Sequence, residues 1–151
     1  MEMDGSETGT AGGIETFRGV VFPWHCDMMG HMSVQHQMPL LDNAVYHLLG
    51  AFGPSVLERD GRRIGWADVS HEIRYLHELV ASDLVVLRSG IVSVGTSSLR
   101  HRTVMARRSD GRACTMMEGV TVRFDLGARR SIPLSDEDRA TAARLSPPEL
   151  P

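Results

Sequence analysis

The sequence predicts an α+β protein in which one long central helix is wrapped by an antiparallel sheet of about five strands. Two observations predict this class. Only one long segment has apolar residues at helical spacing, and several other segments alternate apolar and polar residues with the period of strands. The chain has 151 residues, 42% of them hydrophobic, which suits a single core.

The chain begins with a tail and one strand. Residues 1–14 are small, polar and without periodicity, so we expect a disordered N-terminal tail. The segment FRGVVFPW, which starts at Phe17, is strand-like and should stop at Pro23, because proline donates no hydrogen bond to a neighbouring strand.

The long helix is expected over the segment MPLLDNAVYHLLGAFG. Pro39 should lie in its first turn, where proline is tolerated, and Gly50 should end it. One helical stripe carries the apolar side chains of Leu41, Ala44, Val45, Leu48 and Leu49.

Four strands should follow as an antiparallel meander: WADVSHEIRYL, DLVVLRSGIVSV, SSLRHRTVMARR and ACTMMEGVTVRFD. The sequence Ser109-Asp110-Gly111 predicts a tight hairpin between the last two, because Asp-Gly readily adopts positive backbone angles. Glu118 shares its strand parity with apolar neighbours, so we expect a bulge at Gly119 that turns it towards solvent.

Ser135 is a candidate N-cap for a short terminal helix. The predicted organisation is therefore a single domain over residues 15–135, followed by a short helix and tail over residues 136–151. Such a layout leaves a sheet edge and an apolar end uncovered, and we expect a homodimer or homotetramer.

Composition excludes several function classes. All 16 basic residues are arginine, which excludes Schiff-base chemistry, a phosphate-binding P-loop lysine and pyridoxal-phosphate attachment. A formal net charge of −3 argues against nucleic acid as a partner. Only two cysteines occur, without a CxxC pairing, and no apolar run is long enough for an export signal or a membrane span, so we expect a cytoplasmic protein.

The candidate site is the polar stretch from His25 to His36, just ahead of the long helix. Free backbone N–H groups and the helix dipole at such a position stabilise a developing oxyanion. Asp27 is the one carboxylate in the stretch, and a carboxylate can attack a carbonyl carbon or deprotonate a water.

The run Asp27-Met-Met-Gly30-His31-Met, followed by the helix and the EIRYL strand, resembles the DxxGH signature of hotdog-fold acyl-CoA thioesterases of the 4-hydroxybenzoyl-CoA thioesterase type. The similarity runs from about Phe17 to about Ser135 in the family's order, with the SSL strand start and the closing VTVRFD strand. It implies a hotdog fold and hydrolysis of acyl-CoA to a carboxylic acid and coenzyme A, with no cofactor and no metal.

The resemblance places the family's catalytic carboxylate on Asp27 and its backbone oxyanion donor on Val34, with Gly30 allowing the turn between them. His31 either positions Asp27 or a water, or is a packed, hydrogen-bonded turn residue. The family's Asn and Tyr are replaced by Ser33 and Gln37, which weakens any inference about substrate, although Ser33 can still cap the helix.

Further residues have two readings each. Ser97 and Ser98 either present hydroxyls to the acyl group from a partner subunit or are ordinary turn residues. Asp42 lies on the helix where many relatives carry an acidic residue, and it either takes part in catalysis or, as we expect, is a solvated or arginine-paired residue of the helix face. The two tryptophans line an acyl pocket or fill the core, and five arginines around the hairpin contact coenzyme A phosphates or form a solvated face: Arg100, Arg102, Arg107, Arg108 and Arg112.

Two other functions are compatible with the sequence. One is a noncatalytic protein that binds an acyl ligand on the same fold. The other is soft-metal binding, although the spacings match no CxxC or HExxH template. The potential soft ligands are His25, Cys26, Met28, Met29, His31, Met32, His36 and Met38.

Overall fold

The computed structural model describes residues 12–151, so most of the predicted N-terminal tail lies outside the described residues. The described elements are β1 (Ile14–Val20), α1 (Val34–Leu49), β2 (Leu57–Arg59), β3 (Arg62–Tyr75), β4 (Leu84–Val94), β5 (Ser98–Arg107), β6 (Ala113–Asp125), β7 (Arg130–Ser131) and α2 (Asp136–Ala143). β1 begins three residues before the predicted start at Phe17. Within these residues, no helix is both long and apolar enough to cross a membrane.

All the strands belong to one antiparallel sheet with the order β1-β4-β5-β6-β3-β2, and β7 pairs with β6. The predicted α+β class is confirmed, but the simple meander is wrong, because β3 lies beside β6 and not beside β4. Residues 76–83 carry the chain between them, and Leu79 within this connection is 1% exposed. The connection therefore closes one end of the core instead of forming a hairpin.

The core lies between α1 and the concave face of the sheet. The predicted apolar stripe of α1 is buried, and Leu41, Ala44 and Leu48 have no exposed surface. Gly50 ends the helix as predicted. The sheet contributes Val85, Leu87, Leu99, Met105 and Met117 to the same cluster.

α1 begins at Val34, so Pro39 lies in its second turn and the predicted first-turn placement is wrong. The proline leaves the carbonyl of Gln35 without its helical donor. The helix starts earlier because Gln37 is buried and anchored. Its Nε2 donates to the Met32 carbonyl at 3.2 Å, and its Oε1 accepts from Thr115 Oγ1 at 2.6 Å.

Glu118 lies on the outer face of the sheet without the predicted bulge. Gly119 keeps an unbroken register, opposite His101 on one side and His71 on the other. The orientation towards the core that was expected of Glu118 on a regular strand is wrong, because Thr115 and every second residue from it along β6 face α1, whereas Glu118 belongs to the alternate set. Glu118 instead accepts hydrogen bonds from Arg102 at 2.7 Å and Arg100 at 3.2 Å.

The C-terminal residues pack against the sheet. Ser135 caps α2 as predicted, since its Oγ accepts from the Asp138 N–H at 3.1 Å. Beyond α2 the chain crosses β4 at Gly90, where a Cβ atom would lie only 2.0 Å from the Ser146 carbonyl oxygen. Arg102 also donates to the Pro148 carbonyl at 2.9 Å, which holds the tail on the outer face.

Candidate active site

The candidate site is a narrow hairpin of residues 25–33 that leads into α1. The Ser33 N–H donates to the His25 carbonyl at 2.9 Å, and the Asp27 N–H donates to the His31 carbonyl at 2.9 Å. At the tip, the Gly30 N–H donates to the Asp27 carbonyl at 3.0 Å. Gly30 has a φ of +80°, so glycine permits the turn as predicted.

Asp27 is exposed and stabilises the tip of this hairpin. Its Oδ1 accepts the Met29 N–H at 2.8 Å, which is the side-chain-to-backbone bond of an Asx turn. Its Oδ2 makes no hydrogen bond to any described residue. One carboxylate oxygen therefore fixes the loop, and the other is available to a ligand.

The start of α1 offers free donors. Ser33 occupies the N-cap position, but its hydroxyl makes no capping bond. Its carbonyl accepts from the N–H groups of His36 at 3.0 Å and Gln37 at 3.1 Å. The N–H groups of Val34 and Gln35 have no acceptor among residues 12–151, so they can bind an anion or a carbonyl oxygen.

His31 contacts the β3–β4 connection. Its Nε2 lies 3.1 Å from Glu78 Oε2, an ion pair when the imidazole is protonated. The neighbouring Met32 N–H donates to the Leu79 carbonyl at 2.7 Å. These contacts dock the hairpin onto the end of the core, which suits His31 as a residue that holds the loop.

Ser97 and Ser98 are not brought together with Asp27 in one chain. Both lie at the start of β5, whereas Glu78, next to the Asp27 hairpin, has its carbonyl hydrogen-bonded to Arg107 at the end of β5. Ten residues of strand span roughly 30 Å. A site that uses both regions therefore needs two chains.

A cleft of about 160 Å³ lies between the second half of α1 and β3. Its walls include Val45, Leu49 and Trp66, with the carboxylates of Asp42 and Asp68 at its surface. Asp42 is thus a cleft residue and is not paired with arginine in the described chain. The two tryptophans differ: the Arg123 guanidinium lies 3.8 Å from the Trp66 ring centroid, whereas Trp24 is 68% exposed and stacks on Phe22.

The five arginines do not form one patch. Arg100 and Arg102 bind Glu118, and their hydrogen bonds outweigh the burial that would raise its pKa, so the Glu118 pKa is lowered. At the hairpin, hydrogen bonds from Arg107 and then from the Arg112 backbone lower the pKa of Asp110 to about 2. Several of the arginines that were expected to bind coenzyme A phosphates therefore already form ion pairs with carboxylates of the same chain.

Sequence reasoning missed a cluster of Asp68, His71 and His101. One donor atom from each lies within 4.8 Å of the other two, and no other set of three or more His, Cys, Asp and Glu side chains in residues 12–151 comes as close. Burial, followed by the neighbouring His71, lowers the pKa of His101 to about 4. One signal in the sequence could have indicated the cluster. His101 alternates along β5 with the apolar Leu99 and Met105, so it lies on the face of the strand that points into the protein.

The potential soft-metal ligands between His25 and Met38 are more scattered than the Asp68, His71 and His101 cluster. The rings of His25 and His36 are neighbours, with centroids 5.1 Å apart. Met28 and Met29 point into solvent, with 99% and 73% of their surface exposed. Cys26 donates weakly to the Phe22 carbonyl at 3.9 Å.

A single long helix wrapped by an antiparallel sheet, with a hairpin that carries an aspartate at the helix N-terminus, defines a hotdog-type protein. Residues 21–144 match the thioesterase-like superfamily, and the chain belongs to this family. The predicted hotdog fold is therefore confirmed. Comparison with curated proteins gave no match.

Solved structures share this fold. A Staphylococcus aureus protein in complex with CoA has a TM-score of 0.76 at 17% identity, over 88% of this chain and 84% of that chain. A Thermus thermophilus thioesterase complexed with coenzyme A and Zn has a TM-score of 0.72 at 20% identity, over 89% and 95%. A 1,4-dihydroxy-2-naphthoyl-CoA thioesterase from Synechocystis has a TM-score of 0.68 at 12% identity, over 84% and 93%.

Proposed function

We propose that this protein is an acyl-CoA thioesterase of the 4-hydroxybenzoyl-CoA thioesterase type, which hydrolyses an acyl-CoA to a carboxylic acid and coenzyme A. The observation that carries the proposal is the DxxGH hairpin, with the free Asp27 Oδ2 and the unpaired N–H groups of Val34 and Gln35 at the start of α1. Membership of the thioesterase-like superfamily supports it.

In the proposed reaction, the Val34 N–H donates to the thioester carbonyl oxygen and stabilises the negative charge that develops there. Asp27 Oδ2 attacks the carbonyl carbon, the C–S bond breaks, and coenzyme A leaves as a thiolate. Because a thiol has a pKa of roughly 8.5, this leaving group needs no strong general acid. Water then hydrolyses the mixed anhydride and regenerates the Asp27 carboxylate. In the alternative route, Asp27 deprotonates a water that attacks directly.

The proposed working unit is a homodimer or homotetramer. β3 pairs with β6 along one edge but with β2 only over Arg62–Ile64, which leaves the backbone edge of residues 66–75 without a strand partner among the described residues. Pairing of this edge with a second copy supplies a second chain. Ser97 and Ser98 of that chain are the proposed contacts to the acyl group.

The unpaired thiols of Cys26 and Cys114 and an acyl-CoA substrate fit a reducing cytoplasm, which is the proposed location. The proposed reaction needs no cofactor, because Asp27 supplies the nucleophile or base and the helix N-terminus supplies the oxyanion donors. Gly30 and Ser33 are proposed to approach the substrate through their backbone.

The test is thiol release from short, medium, branched and aromatic acyl-CoAs, with wild type and Asp27→Asn measured side by side. We expect Asp27→Asn to lower kcat by about 10²–10⁴-fold with little change in substrate binding, because the substitution keeps the shape and removes the charge. Asp60→Asn is the matched control, since Asp60 is an exposed turn residue with a φ of 51°, which asparagine also tolerates.

Full activity of Asp27→Asn would remove Asp27 from the chemistry. Binding of acyl-CoA by the wild type without any thiol release would instead identify a noncatalytic acyl-ligand binding protein on the same fold.

A further inference from the structure

We propose that Asp68, His71 and His101 form a binding site for a divalent transition-metal ion of the Zn²⁺ type. The three side chains lie on the inner face of the sheet, on β3 and β5. The inference does not rest on the proposed thioesterase reaction, and it concerns residues to which that reaction assigns no role.

A β-bulge brings Asp68 and His71 to the same face. Residues three apart on a regular strand point to opposite faces. Here the register between β3 and β6 shifts between Asp68 and Ser70, so that Asp68 lies opposite Thr121 and His71 lies opposite Gly119. The extra residue, Val69, restores the common orientation of the two potential ligands.

Gly119 makes room for the two imidazoles. It lies on β6 between His71 on β3 and His101 on β5. A Cβ atom at this position would lie 2.4 Å from His101 Cε1 and 2.8 Å from His71 Cδ2. Both rings therefore lean over the backbone of Gly119, with their centroids 6.2 Å apart, and any other residue there would push them away.

His101 has an unsatisfied nitrogen. Its side chain is fully buried, and its Nδ1 has no hydrogen-bond partner in the described chain. The Thr121 hydroxyl donates to Asp68 Oδ1 at 2.8 Å and lies 3.2 Å from His101 Nε2. The Thr121 hydroxyl therefore links Asp68 to the His101 ring, whose Cε1–Nε2 edge lies over Gly119 next to His71. A buried polar atom without a partner is costly, and a ligand offsets that cost.

The donor set selects the type of ion. Two imidazole nitrogens and one carboxylate oxygen suit Zn²⁺ and similar ions, whereas Mg²⁺ and Ca²⁺ prefer oxygen ligands alone. Tetrahedral Zn²⁺ needs donor atoms about 3.3 Å apart. Asp68 and His71 are exposed and can rotate to close the present separations, which are at most 4.8 Å. Asp68 also lines the cleft between α1 and β3, and three protein ligands leave one position of a tetrahedral ion for water.

The experiment is a titration of the metal-stripped full-length protein with Zn²⁺ by calorimetry, and with Co²⁺ by visible absorption. We expect one ion per chain and the absorption of four-coordinate Co²⁺. His71→Ala and Asp68→Asn should each weaken binding by about 100-fold or more. Both residues are exposed, so these variants should fold. A substitution of the buried His101 could prevent folding, so it is not used in the test.

His47→Ala is the matched control, because His47 is an exposed histidine on α1 that lies outside the cluster. It should bind as the wild type does. Absence of stoichiometric binding overturns the proposal, and so does wild-type affinity in His71→Ala. Loss of binding in a His25→Ala/His36→Ala variant but not in His71→Ala would also overturn it and would locate the ion at the hairpin. None of these readouts depends on thioesterase activity, so failure here leaves the proposed function standing.

Discussion

At the scale of single residues, Gly119 is a position in the sheet where any side chain would be crowded. A Cβ atom there would overlap the buried ring of His101, which has little freedom to move. We expect Gly119→Ala to lower the free energy of unfolding by about 1–3 kcal/mol, as overpacking does elsewhere. Urea unfolding followed by circular dichroism measures this change.

Gly127→Ala is the control for this prediction. The nearest atom to a Cβ at Gly127 is Asp125 Oδ1 at 3.5 Å, an ordinary contact. Its unfolding free energy should stay within about 0.5 kcal/mol of wild type. Equal stabilities of the two alanine variants would show that His101 moves aside at no cost.

The sequence predicted Asp27 but not the Asp68, His71 and His101 cluster, and the difference has a physical cause. The hairpin of Asp27 is local, so its nine consecutive residues define its geometry through short-range hydrogen bonds. The cluster depends on the register of three strands and on one bulge in β3. Neither the register nor the bulge is encoded in the alternation of apolar and polar residues.

At the scale of elements, α2 is fixed to the sheet by a buried ion pair. Arg123 Nη2 donates to Asp138 Oδ1 at 2.7 Å, and Arg123 Nε donates to Asp138 Oδ2 at 3.1 Å. Asp138 Oδ2 also accepts the Ser135 N–H at 3.2 Å, which completes a capping box. We expect Asp138→Asn to destabilise the protein by about 3 kcal/mol, because the substitution leaves Arg123 buried without its counter-charge.

Asp136→Asn is the matched control in the first turn of α2, where the side chain is exposed and should contribute about 0.5 kcal/mol. Chemical unfolding at pH 7 compares the two variants. A loss in Asp138→Asn as small as that in Asp136→Asn would show that Arg123 finds another partner.

The same pair gives a pH dependence. Burial raises the pKa of Asp138, but hydrogen bonds from Arg123 and Ser135 outweigh it, so the folded-state pKa lies below the ordinary value of 3.8. The carboxylate therefore stabilises the fold above its ordinary pKa, and this stabilisation is lost as pH falls through the folded-state pKa. The stability difference between wild type and Asp138→Asn should be constant near neutral pH and shrink below about pH 4. A difference that does not change with pH would contradict the assignment.

Most elements were predictable, but their order in the sheet was not. The stripe from Leu41 to Leu49 and the hairpin at Asp110-Gly111 are short-range signals, and both are confirmed, although only Gly111 in that turn has a positive φ. The placement of β3 beside β6 depends on a connection with a buried Leu79, whose role is visible only in three dimensions. The early start of α1 depends similarly on Gln37, which gains its partner from the distant Thr115.

At the scale of the whole molecule, the free edge of β3 is the proposed contact between two chains. Val69 on this edge is 64% exposed. We expect Val69→Lys to shift the protein from the proposed dimer or tetramer towards monomer, because a lysine at a strand edge opposes edge-to-edge pairing. Sedimentation equilibrium measures the mass. Thioesterase activity should fall as the assembly dissociates, since Asp27 and the proposed contacts of Ser97 and Ser98 are far apart in one chain.

Ile14→Lys places the same charge on β1, the other edge strand, where Ile14 is 38% exposed. This substitution should leave the mass of the assembly in solution unchanged. Dissociation by Ile14→Lys but not by Val69→Lys would assign the interface to β1.

The tail that crosses β4 makes the described chain nearly a closed ring. A Cβ atom at Gly12 would lie 2.8 Å from the Pro147 carbonyl oxygen, so the segments on either side of the domain are neighbours. A short glycine linker from Pro147 to Gly12 would join them without stretching the backbone, and new ends could open at the exposed Asp110 turn. The fold is therefore suited to circular permutation, with every strand keeping its present neighbours.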